Sequence, residues 1–117
     1  MTHLYQTIRL NMIPGAEMTP RVHVSQGDAG SRTLSFSLYA GQAVYTLPEG
    51  AEITCDGQAG DGSRFSVEAA GSGSTVTLTV SGEMTARAGA TTCQITVRDQ
   101  DNVLGSANFL LLVEPTP

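Results

Sequence analysis

Two cysteines, Cys55 and Cys93, carry the only thiols in the sequence. Each occupies an inward position in a segment that alternates apolar and polar residues, so both are expected in the core. A disulfide between them would close a loop of about 38 residues and contribute roughly 4 kcal/mol in the chain-entropy model. The alternative, favoured by the lack of a secretion signal, is two buried thiols acting as small apolar residues. No zinc site is expected, because such sites need clustered cysteines and histidines.

Only His3 and His23 could supply an imidazole base for hydrolysis. His3 lies close to the N-terminus, and His23 occupies the polar face of the alternating segment "RVHVS". The sequence also lacks the G-x-S-x-G motif that presents a nucleophilic serine. We therefore predict a non-enzymatic protein with no catalytic residues.

Four aspartates in predicted turns could offer oxygen ligands to calcium, which takes carboxylates and carbonyls from loops. The segment "DQDN" lacks the glycine and the distal glutamate of an EF-hand loop. Turn aspartates more often accept hydrogen bonds from their own backbone. We therefore expect no metal and no cofactor at these residues, which are Asp56, Asp61, Asp99 and Asp101.

The charge of the chain excludes several function classes. The formal net charge is −5, and all six basic residues are arginines. Without lysine there is neither a P-loop lysine nor a Schiff base, and without a basic cluster nucleic acid is a poor partner. Proteins or glycans are the expected partners. Glycan contact would fall to the few tyrosines, Tyr5, Tyr39 and Tyr45, of which Tyr39 is expected to face outward.

No targeting or membrane-spanning segment is predicted. Arg9 interrupts the N-terminal stretch before an apolar region of signal-peptide length can form. No run approaches the ~18 apolar residues of a membrane span. These observations predict a chain that has no signal peptide, makes no membrane contact and is synthesised in the cytoplasm.

The elements that would position these side chains are short strands, because apolar residues recur at every second position along most of the chain. The clearest example is "TLSFSLYA", in which Leu34, Phe36 and Leu38 face the core. Turn-forming pairs such as Asp-Gly separate such segments at spacings of roughly ten residues. The pattern predicts an all-β fold, an antiparallel Ig-like β-sandwich of eight or nine strands, with a closed barrel as the alternative.

Three further segments complete the predicted organisation. "DGQAGDGS" is predicted as a hairpin loop and "DQDN" as a tight hairpin turn. "GEMTARAGA" is predicted as a helical turn that crosses between sheets, with Met84 as its apolar anchor. We expect one domain over residues 1–114, followed by a Pro-rich tail or linker at 115–117.

The last strand is apolar on both faces. Phe109, Leu111 and Val113 form the face expected in the core, and Leu110 and Leu112 make the opposite face apolar as well. That second face is covered either within the fold or by another subunit. Leu110 and Leu112 are therefore our candidate partner contacts.

The residues also carry a family resemblance that extends over about residues 5–114. Its most specific parts are "VHVSQ-x-D" with "R-x-L-x-F-x-LY-x-G", "LPEGAEIT", and the hairpin "ITVRDQDNVLGSANFLLLVE". In this order and spacing they resemble the N-terminal domain of phage baseplate upper proteins, which are common in prophages of Gram-positive bacteria.

The resemblance implies a β-sandwich that docks onto other proteins of the phage tail baseplate and has no catalytic motif. Longer members continue into a helical stalk and a receptor-binding or adaptor region. This sequence ends at Pro117 without a stalk, so the resemblance does not imply a trimer for this chain. Both a monomer and a homo-oligomer are compatible with the sequence.

Two functions follow as hypotheses. The first is a non-enzymatic adaptor of a phage or prophage tail baseplate or host-adhesion device. It would be located in the virion tail and would dock by shape or by strand addition at an open sheet edge. The alternative is an Ig-like module that binds glycans or the bacterial surface directly.

Overall fold

The computed structural model describes residues 4–13, 15, 17–27 and 32–115, and these residues form an all-β domain, as predicted. A single short helix, α1, interrupts the strands in this part of the chain. The elements, in chain order, are β1 (Leu4–Asn11), β2 (Arg21–Ser25), β3 (Arg32–Ala40), β4 (Ala43–Val44), β5 (Glu52–Ala59), β6 (Arg64–Ser72), β7 (Thr75–Thr79), α1 (Gly82–Thr85), β8 (Gly89–Asp99) and β9 (Asn102–Glu114).

The strands form one continuous curled sheet in the order β1-β3-β7-β6-β5-β8-β9-β2, with β4 paired to the end of β3. The long strand β6 joins two halves of this sheet. Its residues 64–69 pair with β5, and its residues 70–72 pair with β7. We call β1, β3, β4 and β7 the β3 half, and β5, β8, β9 and β2 the β8 half.

The prediction of a purely antiparallel sheet is wrong at both edges. β1 runs parallel to β3, and β2 runs parallel to β9. β1 and β2 are consecutive in the chain but lie at opposite edges of the sheet. The chain between them, which we call the crossing segment, therefore leads from one edge to the other. An alternating pattern identifies the buried face of a strand but does not encode its direction. The fold is a curled mixed sheet, and an Ig-like sandwich is not confirmed.

The core lies inside the curl, where the two halves face each other. The rings of Phe36 on β3 and Phe109 on β9 pack with their centroids 4.9 Å apart and their planes tilted by 45°. Leu34 and Leu38 flank Phe36 on the same face, and all four side chains of Phe36, Phe109, Leu34 and Leu38 are at most 1 % exposed. Burial of each such side chain contributes about 1.5–3 kcal/mol, so this face holds the halves together.

The predicted hairpin loop between β5 and β6 is shorter than expected. Asp56 and Gly57 belong to β5, and the turn is confined to residues 60–63, where Gly62 has a φ of 91°. Gly57 pairs with Phe65 across the strands, and a Cβ at this position would overlap the Phe65 ring. The glycine therefore does not form a turn but provides space for an aromatic ring. Glycine within a strand often marks such a close approach.

The other predicted connections are confirmed. Residues 82–85 form the helical turn α1, and its anchor Met84 is 2 % exposed. The turn carries the chain from β7 in the β3 half to β8 in the β8 half. Residues 100 and 101 form the two-residue turn between β8 and β9, because Asp99 and Asn102 are the last paired residues.

Strand directions give the molecule two distinct ends. The tip end carries the turns β3–β4, β6–β7 and β8–β9 together with the segment 45–51. The exit end carries the turn β5–β6, α1, the first residues of β1 and β3, and Pro115 after β9. The sequence thus enters and leaves the described fold at one end. Thr116 and Pro117, the end of the predicted tail, lie outside the described residues.

Candidate docking surfaces

Leu110 and Leu112 lie on the outer face of the β8 half, opposite the core residues of the same strand. Leu110 is flanked by Thr92 on β8 and Arg21 on β2. Leu112 is flanked in the same way by Ala90 and His23. Both leucines are half-buried, whereas Phe109, Leu111 and Val113 are at most 3 % exposed. Neighbouring side chains within the sheet thus cover the flanks of the two leucines.

We call the outer face around Leu110 and Leu112 the leucine face. At the exit end it continues into an open hollow. Leu112 lines it together with the first residues of β8 and the last residues of β9. Most of the lining is apolar, and Glu114 is the charged residue among those that line it. The structure therefore places Leu112, one of the two leucines predicted as partner contacts, in a shallow apolar depression beside Pro115.

The seam between the two edges of the sheet holds a second cavity, of about 270 Å³. β2 pairs with β9 only along residues 110–114, and the described residues between β1 and β2 line the cavity together with the earlier part of β9. Asn11, Glu17 and Asn108 are among the polar side chains that line the cavity. The connection is held in place by a backbone hydrogen bond from the Leu110 amide to the Pro20 carbonyl, 2.9 Å long.

Glu17 binds the crossing segment to β1 through side-chain hydrogen bonds. Its carboxylate accepts hydrogen bonds from Asn11 Nδ2 at 2.7 Å and from Arg9 Nε at 2.8 Å. These bonds, that of Asn11 first, lower the pKa of Glu17 below its ordinary value of 4.5. A charged carboxylate thus holds the crossing segment to the edge of the sheet at neutral pH.

The two tyrosines whose side chains are described are both engaged within the fold. The Arg9 guanidinium lies 3.7 Å from the centroid of the Tyr39 ring, in cation–π geometry. Tyr45 packs against the core and is only partly buried. The side chain of Tyr5 lies outside the described residues. Arg9 therefore covers one face of the Tyr39 ring, which is not available for stacking on a sugar.

Cys55 and Cys93 are both fully buried, and both are free thiols in the structure. They lie on adjacent strands but not directly opposite, because Cys55 pairs with Ile95 and Cys93 pairs with Gly57. A hydrogen bond with the Cys55 side chain, together with burial, raises the pKa of the Cys93 thiol. A buried neutral thiol is a poor nucleophile and a poor target for oxidation.

The other residues predicted as candidates for chemistry do not converge. His23 is exposed and its Nδ1 lies 3.3 Å from Glu114, whereas His3 lies outside the described residues. Asp61 is at the exit end, where its carboxylate accepts bonds from the Ser63 amide at 2.9 Å and from Arg87 Nε at 2.9 Å. Backbone hydrogen bonding from Ser63 is the first cause of the lowered pKa of Asp61.

Of the remaining aspartates, Asp56 lies within β5, and Asp99 and Asp101 lie at the tip end. Within the described part of the chain, no group of three histidine, cysteine or acidic residues could hold a metal ion. The same part contains no helix that is long and apolar enough to cross a membrane.

Sequence reasoning missed a pair of exposed apolar residues, Val103 and Leu104, at the start of β9. They are 60 % and 43 % exposed. The register explains both values, because Val97 pairs with Gly105 while the next residue, Arg98, pairs with Val103. Leu104 is therefore the extra residue of a β-bulge. Because of the bulge, Val103 lies opposite Arg98 on the outer face of the sheet. With regular pairing, Val103 would lie on the inner face. Two adjacent apolar residues directly after a hairpin turn were the available signal.

No protein-family model matches the sequence, and no curated protein matches it. Among solved structures, the fold is similar to that of the N-terminal domain of phage TP901-1 ORF48. The alignment covers 97 % of this chain and 99 % of that domain, with a TM-score of 0.72 and 16 % sequence identity. At this identity the likeness establishes a shared fold.

Proposed function

We propose that this protein is a structural module of a phage tail, located in the baseplate and assembled there with other tail proteins. The observation that carries the proposal is the fold match, because nearly all of this chain aligns with nearly all of the N-terminal domain of a phage protein. The sequence motifs that resemble baseplate upper proteins point to the same assembly. In this proposal the chain is made in the cytoplasm of the bacterial host and is incorporated into the virion.

The described side chains support a role in assembly. Some of the groups that the sequence offers for metal binding or thiol chemistry are engaged within the fold: Asp61 is paired with Arg87, and the two thiols are buried in the core. A curled sheet with apolar surface outside its core is suited to binding another protein. We propose no enzymatic activity and no cofactor.

The partner contact that we propose for this role is the leucine face around Leu110 and Leu112. Both side chains are half-buried and lie in a row with the outer-face residues of β8 and β2. Covering the two leucines would bury further apolar area, at about 25 cal/mol for each Å². The outer face of a sheet is suited to a partner that packs against it.

The proposal is tested by offering the purified protein to two targets in parallel. One target is the purified central tail-hub protein of the same phage, and the other is whole host cells. Binding to the hub protein supports the tail adaptor. Binding to cells without binding to the hub protein would replace it with the alternative, a module that contacts the bacterial surface directly.

The assignment of the leucine face is tested with the double variant Leu110→Ala and Leu112→Ala. Thr77→Ala, an exposed threonine on β7 in the other half of the sheet, is the matched control. We expect the double variant to bind the hub protein at least tenfold more weakly and the control to bind normally. Unchanged affinity of the double variant, with its fold verified by circular dichroism, would remove the leucine face from the interface.

A further inference from the structure

The tip end concentrates exposed apolar side chains. Among the described residues, five large apolar side chains are strongly exposed, and four of them belong to segments at this end: Ile13, Val44, Val103 and Leu104. The fifth, Met18, lies beside the seam cavity and is 90 % exposed. Single exposed apolar residues are ordinary, but four at one end of a small domain are a concentration that indicates a binding surface. We call these four residues the tip surface.

The segments that carry the tip surface are packed together. Gly105, directly after Leu104, has Met12 Cε 3.0 Å and the Tyr45 hydroxyl 3.5 Å from where its Cβ would be. Ile13 Cδ1 lies 3.7 Å from the corresponding position at Gly41, in the turn before β4. The crossing segment, the β3–β4 turn and the start of β9 therefore meet at this point. The tip surface is a shared feature of three segments.

Acidic residues predominate among the charged groups in the segments at the tip end. Four carboxylates belong to the tip end, and two guanidiniums lie nearby. Arg98 is the register partner of Glu52, and Arg9, which is paired with Glu17, lies on the ring of Tyr39 beside Val44. Arg98 is half-buried and its Nη1 donates a hydrogen bond to Thr54 Oγ1 at 3.1 Å. The carboxylates are exposed and belong to Glu49, Glu52, Asp99 and Asp101. At the exit end, by contrast, Asp61 is paired with Arg87.

We infer that the tip surface is a second docking site, distinct from the leucine face, and that it binds a partner protein whose surface is apolar at its centre and basic at its rim. The acidic rim decides the class of partner. Two copies of this chain would bring like charges together, which costs several kcal/mol at a close interface. A basic rim would instead be attracted to the carboxylates and would guide association.

The position of the tip surface is suited to a second docking site. The described chain begins and ends at the exit end, so nothing in the described residues leads away from the tip. The leucine face runs from the middle of β9 towards the exit end. A protein with docking surfaces at both places can connect two components of an assembly. This inference rests on the proposed function, because it takes both partners to be tail proteins.

The test uses phage tails that lack this protein, immobilised on a sensor surface, with the purified protein as the soluble component. One variant removes the apolar centre, Val103→Thr with Leu104→Thr, and keeps residues that favour strands. A second variant, Asp99→Asn with Asp101→Asn, removes two charges from the rim. Met18→Thr is the control for loss of an exposed apolar residue, and Glu83→Gln is the control for loss of an exposed charge at the exit end.

We expect the threonine variant to dissociate at least tenfold faster than the wild type. The asparagine variant should associate several-fold more slowly at low salt and show a weaker dependence on salt concentration, because rim charges act mainly on the association rate. Both controls should match the wild type. Circular dichroism and the thermal midpoint establish that each variant is folded.

The outcomes separate the two proposals. If the wild type binds the tails and the threonine variant binds them equally well, the tip surface is not a docking site, while the proposed function stands. If the asparagine variant alone behaves like the wild type, the partner does not have a basic rim and the inference is wrong on that point. If the wild type does not bind the tails at all, the proposed function itself fails.

Discussion

At the scale of single residues, Asn11 is the junction between three segments. Its Oδ1 accepts hydrogen bonds from the amides of Ile13 and Gly41, at 3.0 and 3.1 Å. Its Nδ2 donates to the Gly41 carbonyl at 2.9 Å and to Glu17 at 2.7 Å. The end of β1, the crossing segment and the β3–β4 turn are thus held by one amide side chain. A side chain with only donors or only acceptors could not make this set of bonds.

Asn11→Ala should therefore destabilise the fold. The substitution leaves the amide and the carbonyl of Gly41, which are partly buried, without their partner, and we expect a loss of about 1–3 kcal/mol in the free energy of unfolding. Urea denaturation followed by circular dichroism measures this. Asn108→Ala, at an exposed position on β9, should change stability by less than about 0.5 kcal/mol. Equal stability of the two variants would contradict the role assigned to Asn11.

The bond between Asn11 and Glu17 also predicts a dependence on pH. The pKa of Glu17 is lower in the folded protein than its ordinary value of 4.5. The contribution of this contact to stability is therefore fully present above pH 4.5 and is lost as the pH falls through the lowered pKa. We expect the side-chain amide resonances of Asn11 to shift over this acidic range in an NMR titration. In Glu17→Gln the shift should be absent, and a shift that persists would assign the titration to another group.

At the scale of elements, the strand pattern predicted more of the structure than the turns did. β2 begins and ends where the alternation does, and Leu34, Phe36 and Leu38 are buried as expected. Burial of one face enforces a period of two, so this property is recorded in the sequence. The Asp-Gly pair at 56 and 57 misled the prediction, because its meaning depends on Phe65, a partner eight residues away. Local composition cannot distinguish a turn glycine from a glycine under an aromatic ring.

The candidate surfaces were predictable in part. Leu110 and Leu112 were identified because they break the alternation, and the structure does place them on the outer face. Their role as partner contacts stays a prediction. Val103 and Leu104 were not identified, because their exposure depends on a register shift between β8 and β9. The two adjacent apolar residues were visible in the sequence, but their pattern does not show that a bulge exposes both of them.

Gly57→Ala tests the packing of Phe65 over the glycine. The added methyl group would overlap the aromatic ring and force it or the backbone to move, which typically costs about 1–3 kcal/mol. We expect this loss in urea denaturation. The double variant Gly57→Ala with Phe65→Leu should lose less stability than the sum of the two single changes. Strict additivity of the single changes would mean that the ring and the glycine do not interact.

At the scale of the whole molecule, β6 makes the two halves one cooperative unit. A strand that pairs with β5 along residues 64–69 and with β7 along residues 70–72 cannot leave one half without disturbing the other. The contact between Phe36 and Phe109 joins the same halves through the core. Small domains with one continuous core usually unfold in a single step.

Two probes in opposite halves can test this cooperativity. Tyr39 and Tyr45 belong to the β3 half and its following segment, and Cys55 and Cys93 belong to the β8 half. We expect tyrosine fluorescence and thiol reactivity to report the same urea midpoint. Thiols that become reactive at clearly lower urea, before the fluorescence changes, would show that the β8 half opens independently.

The pairing of β2 with β9 also has a consequence for how the protein is made. β2 ends at Ser25, and its partner in the sheet is Glu114, almost at the other end of the chain. A ribosome adds about 5–20 residues each second, so β2 leaves it roughly 4–18 seconds before its partner strand has been synthesised. During that interval the nascent chain cannot complete its sheet, and the apolar residues of β2 are accessible to chaperones. The sheet of this domain is therefore completed only after β9 has emerged from the ribosome.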